Sequence, residues 1–264
     1  MAVSLKAADC AELKTAICSI SAGLPRCIRA GLVLLVIVLM LGCAANRPTQ
    51  DELPATWFPA HADTRSDTLL VLLPGARDRG DGFEREGVVD LVREHRPDWD
   101  VVVVDAHMGY YRERSFVDRL ENDIILPARA QGYRKLWLSG PSLGGFGSLL
   151  YLCAGDSAHI TGVIALAPHL GGRPILADIE QAGGPLRWES GTAGRDFERA
   201  LWTCLREGVD TEIWLGWGRF DRMDRGNRLL AELLPDERVL VIDGGHRWPT
   251  WRELWIDLFE RIPH

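Results

Sequence analysis

The chain has 264 residues, of which 47% are hydrophobic and 25% charged, and its formal net charge is −7. This length and balance are typical of a globular protein with a sizeable core, in one large domain or two small ones. The negative charge and the lack of a basic stripe exclude nucleic acid as the expected partner. The sequence has no internal repeat and no Cys/His spacing of a metal site, so we predict no bound metal.

An apolar run near the N-terminus predicts an export signal. The run, residues 32–41, follows Arg26 and Arg29 and is shorter than the about 20 residues of a membrane-spanning helix. It fits the apolar region of a secretory signal. It leads into the letters MLGC, which resemble the lipobox of bacterial lipoproteins, with Cys43 as the lipid-modified residue. We therefore predict a signal peptide over residues 1–42.

The lipobox resemblance implies that the mature protein is exported to the bacterial cell envelope and anchored to a membrane through lipid on Cys43. An uncleaved membrane anchor is the alternative, and a translation start downstream of residue 1 is compatible with both. Ala44 stands where an aspartate commonly retains lipoproteins in the inner membrane, which favours the outer membrane. The polar, proline-containing residues 44–56 predict a tether, and we assign residues 43–66 to a tether and N-terminal segment.

Short apolar strands and amphipathic helices alternate through residues 67–264, which we assign to one domain. The four valines at 101–104 are apolar on both faces of a strand, as in a parallel sheet covered by helices on both sides. The alternation predicts an α/β fold with a doubly wound, mostly parallel sheet. The predicted strands span 68–75, 100–107, 135–140, 161–168, 212–218 and 238–244. The predicted helices span 83–95, 116–132 with a kink at Pro127, 145–155, 195–208, 227–235 and 250–262.

A serine lies between the third predicted strand and the helix that follows it. Ser142 is the centre of the letters GPSLG, which match G-x-S-x-G in the strand–turn–helix context of a nucleophile elbow. So sharp a turn needs neighbours without side chains, here Gly140 and Gly144. The turn would lift the hydroxyl above the sheet and aim the Leu143 N–H at developing negative charge. We predict Ser142 as the nucleophile.

A serine hydroxyl needs a base to remove its proton, and that base is usually a histidine held by a carboxylate. His246 follows the last predicted strand, where the carboxyl ends of strands place functional groups, and is the predicted base. His169, at the end of the fourth strand, is the competing candidate. Asp221, after the fifth strand, is the predicted acid, with Asp224 as the fallback. Asp243 is too near the histidine in sequence to approach its far side.

The turn after the first predicted strand is the candidate for a second oxyanion donor. The letters LLPGARD place the N–H of Ala76 just after this Pro-Gly turn, as a partner for the Leu143 N–H. An ordinary strand-to-loop turn would account for the glycine equally well. The charged residues that follow favour a solvated loop over a contact with substrate. They are Arg77, Asp78, Arg79 and Asp81.

Four motifs of this chain, LLPG, GPSLGG, GRFD and GGHRWPTW, resemble those of α/β-hydrolases, and specifically of serine esterases. The resemblance covers residues 68–262 and departs at LPG, where many members have His-Gly. It implies Ser142, Asp221 and His246 as a catalytic triad and no cofactor, but no particular substrate. We predict a serine hydrolase that cleaves a small-molecule ester or thioester through an acyl-enzyme at Ser142. An amidase or peptidase, and a lipoprotein that uses this fold as a non-catalytic binding module, are the alternatives.

The connection over residues 171–194 is too long for an ordinary loop and predicts a short cap over the pocket. Leu186 and Trp188 would face substrate there. A surface excursion held by a buried Trp188 is an equal alternative.

The cysteines do not predict a disulfide framework, since none of the six forms a CxxC pair. Cys153 and Cys204 fall within apolar helical patterns, which favours buried thiols. A bridge between these two in an oxidising compartment is compatible with the sequence but is not implied by the spacing.

Overall fold

The computed structural model describes residues 47–191 and 196–263. Its compact unit begins at Thr49. The predicted signal peptide over residues 1–42 and the predicted lipidation site at Cys43 lie outside the described residues. Within the described part of the chain, no helix is both long enough and apolar enough to cross a membrane.

A seven-stranded sheet forms the centre of the unit, in the order β1-β3-β2-β4-β5-β6-β7. Every neighbouring pair is parallel except β1 and β3. The predicted doubly wound, mostly parallel sheet is therefore confirmed, with a strand at each of the six predicted places. The strands are β1 Ala55–Phe58, β2 Thr68–Leu72, β3 Trp99–Val104, β4 Lys135–Pro141, β5 Ile160–Leu166, β6 Glu212–Gly218 and β7 Val239–Ile242.

Strand β1 lies in the segment predicted as a tether. It is a short edge strand with mostly exposed side chains, so it lacks the apolar run by which the other strands are recognised. Just before it, Leu53 is buried, and its N–H donates to the Asp123 carboxylate at 2.8 Å. The tether prediction for residues 44–56 is therefore wrong from Leu53 onward, and the folded unit begins earlier than the predicted residue 67.

Helices cover both faces of the sheet. They are α1 Asp81–Arg85, α2 Val88–His95, α3 Met108–Arg112, α4 Phe116–Leu120, α5 Leu126–Ala130, α6 Leu143–Ala154, α7 Arg173–Gln181, α8 Phe197–Glu207, α9 Asp224–Ala231 and α10 Trp248–Arg261. The predicted helix over 83–95 is divided because Gly87 has a left-handed backbone, φ 69°. A π-helical turn, Glu121–Ile125, joins α4 to α5 just before Pro127, where we predicted a kink.

Alternate residues of one central strand show why the sheet is apolar on both sides. In β2, Leu69 and Val71 pack into the core shared with α6 and α8, whereas Leu70 and Leu72 pack into the core shared with α2 and α10. All four side chains are completely buried. Burying one such side chain contributes about 1.5–3 kcal/mol to the stability of the fold, so side chains on both faces of β2 stabilise the packing of helices on the sheet.

A disulfide joins Cys153, near the end of α6, to Cys204 in α8. The interpretation of Cys153 and Cys204 as buried thiols is therefore wrong. The alternative, a bridge between them that the spacing in the sequence could not decide, is present. The bridge ties the helix that follows Ser142 to the helix that follows the predicted cap.

Replacing Cys153 and Cys204 together by alanine is expected to lower the thermal midpoint. The bridged residues are 51 positions apart, and cross-linking a loop of that length stabilises a fold by up to about 4 kcal/mol in the chain-entropy model. For a domain of this size the shift would be roughly 10 °C. The check is thermal unfolding with and without reductant. Reductant should lower the midpoint of the wild type and leave the double variant unchanged; a wild type insensitive to reductant would contradict the bridge.

Candidate active site

Ser142 occupies a strained turn between β4 and α6. Its backbone angles are φ 56° and ψ −111°, a region that residues with a side chain rarely adopt. Main-chain hydrogen bonds fix the turn, since the Ser142 N–H donates to the Leu166 carbonyl at 2.8 Å. The Ser142 carbonyl accepts from the N–H groups of Phe146 and His169, at 3.0 and 3.1 Å. The strained conformation is therefore held from both sides.

The glycines around the serine make room for a neighbouring carbonyl. A Cβ atom on Gly140 would lie 2.1 Å from the Leu73 carbonyl oxygen, and one on Gly144 would lie 1.9 Å from the same atom. Both distances are far below any van der Waals contact, so each position requires glycine. The G-x-S-x-G pattern thus lets the end of β2 pack directly against the elbow.

His246 and Asp221 meet in the loops that follow β7 and β6. The His246 Nδ1 atom lies 2.9 Å from both carboxylate oxygens of Asp221. The Asp221 side chain is fully shielded from solvent and that of His246 is 10% exposed. The Met223 N–H also donates to the Asp221 Oδ1 atom, at 2.8 Å. A carboxylate facing Nδ1 favours the tautomer with its proton on Nδ1, which leaves Nε2 free to accept a proton.

Close backbone packing joins the two loops. The Phe220 N–H donates to the Gly244 carbonyl at 3.0 Å, and a Cβ on Gly218 would lie 2.3 Å from that same oxygen. The ring of His246 packs edge-on against Trp251 at the start of α10, with 5.0 Å between ring centroids. The orientation of the imidazole is therefore set by the carboxylate on one side and by an indole on another.

The structure places Ser142, His246 and Asp221 at the carboxyl edge of one sheet, beyond β4, β7 and β6. It brings the histidine and the aspartate into contact. Among the described residues, no hydrogen bond joins the Ser142 hydroxyl to the imidazole. Such hydrogen bonds are often long before substrate binds, so the three residues stay the predicted triad.

The two other aspartates considered as the acid have different partners. Asp224 accepts from the Trp217 indole N–H at 2.9 Å and pairs with Arg228 at 2.8 Å. Asp243 pairs with Arg219 on the exposed side of the loop. Neither carboxylate is paired with His246, so the geometry favours Asp221.

His169, the competing base, lies beside the nucleophile but has a different environment. Its main-chain N–H contacts the Ser142 carbonyl, while its Nε2 atom lies 3.7 Å from the Glu198 carboxylate. This histidine side chain is 40% exposed and Glu198 is 36% exposed, whereas the pair of His246 and Asp221 is shielded. A shielded, bidentate contact orients an imidazole better than an exposed one at 3.7 Å.

The two predicted oxyanion donors lie on adjacent turns. Leu143 is the first residue of α6, so its N–H has no partner within the helix. The turn after β2 packs against Gly144, and it carries Ala76, an exposed residue whose N–H donates no main-chain hydrogen bond among the described residues. The Asp78 N–H donates to the Gly75 carbonyl at 3.0 Å and closes this turn just beyond Ala76. Both N–H groups are available for the role that we predicted.

One buried support of the site was not predicted from the sequence. The Ser139 hydroxyl, three residues before the nucleophile, donates to the Ile164 carbonyl at 2.8 Å and accepts from the Trp255 indole N–H at 2.9 Å. Trp255 belongs to α10, which follows the loop of His246, so this hydrogen bond fixes that helix to β4. The sequence shows that Trp255 lies in an amphipathic helix, but it does not show which residue the indole contacts.

Asp78 is half-buried and so less solvated than we predicted for its loop, whereas Arg77, Arg79 and Asp81 are exposed as expected. A Cβ on Gly75 would lie 2.8 Å from the Asp78 carboxylate, so this acid packs against the candidate oxyanion turn. Burial raises the pKa of Asp78, and the nearby Trp248 and Arg85 side chains offset part of that effect.

The Asp78→Asn variant is expected to gain stability at neutral pH and none in acid. A carboxyl whose pKa is raised on folding contributes stability below its unfolded value, 3.8, and loses it as pH rises through the folded value. Asparagine stays neutral, so its advantage appears only where the aspartate ionises. Thermal midpoints of both proteins from pH 3 to pH 8 test this. A gap that stays constant with pH would contradict it, and Asp81→Asn is the exposed control from the same loop.

The predicted cap contains helix α7, but its tryptophan does not face a pocket. Trp188 is 3% exposed and packs in the core with the guanidinium of Arg199, 5.7 Å from its ring centre. The Arg206 side chain donates to the Trp188 carbonyl at 2.5 Å. Leu186 is 68% exposed. Trp188 is therefore the buried anchor that we considered as the equal alternative, and the expectation that it contacts substrate is wrong.

Trp188→Ala is expected to destabilise the fold without changing substrate selectivity. Removing a buried indole costs about 3–5 kcal/mol, which corresponds to a fall of roughly 10 °C in the thermal midpoint. The measurement compares thermal midpoints with kcat/KM ratios across esters of graded acyl length. A changed ratio at an unchanged midpoint would show instead that the indole contacts substrate.

Comparison with solved structures shows that the chain has the α/β-hydrolase fold. Est1E from Butyrivibrio proteoclasticus matches with a TM-score of 0.58 at 15% identity, over 79% of this chain and 91% of that chain. The S-formylglutathione hydrolase FrmB from Staphylococcus aureus matches with a TM-score of 0.55 at 15% identity, over 79% and 91%. A monoacylglycerol lipase from Paleococcus ferrophilus matches with a TM-score of 0.53 at 16% identity, over 80% and 100%. No protein-family model matches the chain, and no curated protein matches it.

Proposed function

We propose that this protein is a serine hydrolase that cleaves a carboxylic ester or thioester of a small molecule. The observation that carries the proposal is a strained serine turn at the same sheet edge as the shielded pair of His246 and Asp221. Solved proteins with this fold include an S-formylglutathione hydrolase and a monoacylglycerol lipase, whose substrates are a thioester and an ester. The substrates of these two proteins support an ester or thioester as the bond that this protein cleaves.

The proposed reaction has two steps that share one base. The Ser142 hydroxyl attacks the substrate carbonyl while His246 Nε2 takes its proton, and Asp221 stabilises the imidazolium. The N–H groups of Leu143 and Ala76 stabilise the negative oxygen of the tetrahedral intermediate. Collapse breaks the bond to the alcohol or thiol, which receives the proton from His246. Water, deprotonated by the same imidazole, then attacks the acyl-enzyme. The bond to the Ser142 oxygen breaks as the imidazolium returns the proton to it, which releases the carboxylic acid and regenerates the serine.

A fluorophosphonate that reacts with activated serines tests the proposal. The wild type is expected to incorporate one equivalent, and peptide mass spectrometry should place the phosphonyl group on Ser142. Ser142→Ala should lose the label, while Ser190→Ala, which removes a partly exposed serine, should keep it. A wild type that neither reacts with the probe nor hydrolyses any ester would support the non-catalytic binding module instead. Matched ester and amide substrates distinguish an esterase from an amidase or peptidase.

We also propose that the protein is exported and lipid-anchored through Cys43. The supporting observations are the MLGC letters at the end of the apolar run and the disulfide between Cys153 and Cys204. Disulfides persist mainly in oxidising compartments outside the cytosol. Mass spectrometry of the protein from membranes is expected to show acylated Cys43 as the first residue. Cys43→Ala should release a soluble, active enzyme; an intact N-terminus with an unmodified thiol would overturn the proposal.

A further inference from the structure

A cavity of about 310 Å³ opens beside the candidate active site, at the carboxyl ends of β5 and β6. His169 lines one end of it, and its main-chain N–H donates to the Ser142 carbonyl at 3.1 Å. Met223 lines another part, and its N–H donates to the Asp221 carboxylate at 2.8 Å. The cavity is therefore one hydrogen bond away from both the proposed nucleophile and the proposed acid.

The wall of this cavity combines aliphatic side chains with arginines. Leu170, Leu176 and Met223 supply the apolar surface. Arg173, at the start of α7, and Arg222, beside Asp221, are exposed to solvent and line the same space. The volume is at the small end of the range for ligand pockets, about 300–1,000 Å³, and fits a short carbon chain with one polar end.

Neither Arg173 nor Arg222 has a counter-charge. Within residues 47–191 and 196–263, neither guanidinium forms an ion pair or a side-chain hydrogen bond. The third arginine of the lining, Arg225, differs, because it forms two hydrogen bonds with Glu180 at 2.7 and 2.6 Å. An acidic chain of net charge −7 thus keeps two unpaired guanidinium groups at one cavity.

The acids near this cavity do not neutralise both arginines. The Glu198 carboxylate accepts the Gly172 N–H at 3.0 Å and faces His169 at 3.7 Å. Asp178, on α7, pairs with Arg199 at 2.8 Å. Asp221, next to Arg222 in the chain, is occupied by His246 and by the Met223 N–H. Within the described part of the chain, Arg173 and Arg222 thus line the cavity without a paired carboxylate.

We propose that this cavity binds a second, anionic group of the substrate, a carboxylate several carbons from the ester or thioester that Ser142 attacks. The aliphatic wall would contact the short chain between the two ends. Arg173 and Arg222 would contact the carboxylate, because the planar guanidinium matches that group in geometry and charge. This inference rests on the proposed hydrolase function and names the substrate class of the same site.

Two matched pairs of esters test the proposal on the two sides of the scissile bond. On the acyl side, mono(4-nitrophenyl) adipate is compared with 4-nitrophenyl hexanoate, which has the same chain length and no second carboxylate. On the alcohol side, 4-acetoxybutanoate is compared with butyl acetate. The wild type is expected to favour the anionic member of one pair by about tenfold or more in kcat/KM. The pair that shows the preference identifies which part of the substrate enters the cavity.

The double variant Arg173→Gln/Arg222→Gln is expected to lose about tenfold of that preference, measured as the ratio of kcat/KM for the anionic ester to kcat/KM for its neutral match. The double variant Glu180→Gln/Arg225→Gln removes an ion pair at equal net charge and should keep the preference. Added salt should weaken the preference in the wild type, because these guanidinium groups are exposed.

Three outcomes separate this proposal from the hydrolase proposal. A wild type that hydrolyses neutral esters without favouring either anionic member overturns the anion site and leaves the hydrolase function standing. A preference that survives loss of both Arg173 and Arg222 also overturns the anion site. A wild type that hydrolyses none of the four esters and does not react with the fluorophosphonate contradicts the hydrolase function itself.

Discussion

Replacing Ser142 by alanine is expected to abolish hydrolysis and to leave the fold intact. Loss of the nucleophile in a comparable triad costs about 10⁶-fold in kcat, because no other group can form the acyl-enzyme. The backbone at this position is held by main-chain hydrogen bonds to Leu166, Phe146 and His169, none of which involves the hydroxyl. The thermal midpoint should therefore shift by no more than a few degrees. Steady-state kinetics on an activated ester, together with thermal unfolding, measure both quantities.

Ser139→Ala is the matched control for this result, because it removes a hydroxyl three residues earlier, on the strand that leads into the serine turn. Ser139 is fully buried and joins the Ile164 carbonyl to the Trp255 indole. Its loss leaves a buried indole N–H without a partner, which costs about 1–3 kcal/mol. The control should lose stability and keep most of its kcat. Full activity in Ser142→Ala would refute the serine-hydrolase proposal.

The sequence predicted the central strands well, because their apolar runs are buried on both faces of a parallel sheet. Strand β1 was missed because an exposed edge strand carries no such run, and its place follows only from pairing with β3. The elbow at Ser142 was placed correctly between a strand and a helix, because its glycines are required by the contact of Leu73 with Gly140 and Gly144. Because this contact requires glycine at two fixed positions relative to the serine, it can be recognised in the sequence as the G-x-S-x-G motif.

Long-range partnerships could not be predicted in the same way. The bridge between Cys153 and Cys204, the hydrogen bond from Trp255 to Ser139, and the burial of Trp188 each depend on how helices pack on the sheet. Helical periodicity shows which face of a helix is apolar but not which residue it meets. For Trp188, which lies in a loop, the sequence left a contact with substrate and a buried anchor equally open, and its indole packs under Arg199.

The choice between two histidines is the second result with a large expected effect. His246→Ala is expected to lower kcat by about 10⁶-fold, as for loss of the nucleophile, because serine and base act as one unit. The double variant Ser142→Ala/His246→Ala should be little worse than either single variant. Asp221→Ala should cost about 10⁴-fold, because the carboxylate orients and stabilises the imidazole without touching the substrate. The measurements are kcat values from matched protein preparations.

His169→Ala distinguishes the predicted base from its competitor. The main-chain N–H of His169 donates to the Ser142 carbonyl, but the His169 ring faces the partly exposed Glu198 carboxylate at 3.7 Å. The His246 ring instead contacts both oxygens of the shielded Asp221 carboxylate at 2.9 Å. A base needs its imidazolium stabilised as the proton arrives, and a shielded carboxylate does this more strongly than an exposed one. His169→Ala should therefore keep kcat within about tenfold and alter mainly KM, because its side chain lines the neighbouring cavity. If instead His169→Ala abolishes turnover and His246→Ala does not, the assignment of the base is wrong, and Glu198 would take the place of Asp221.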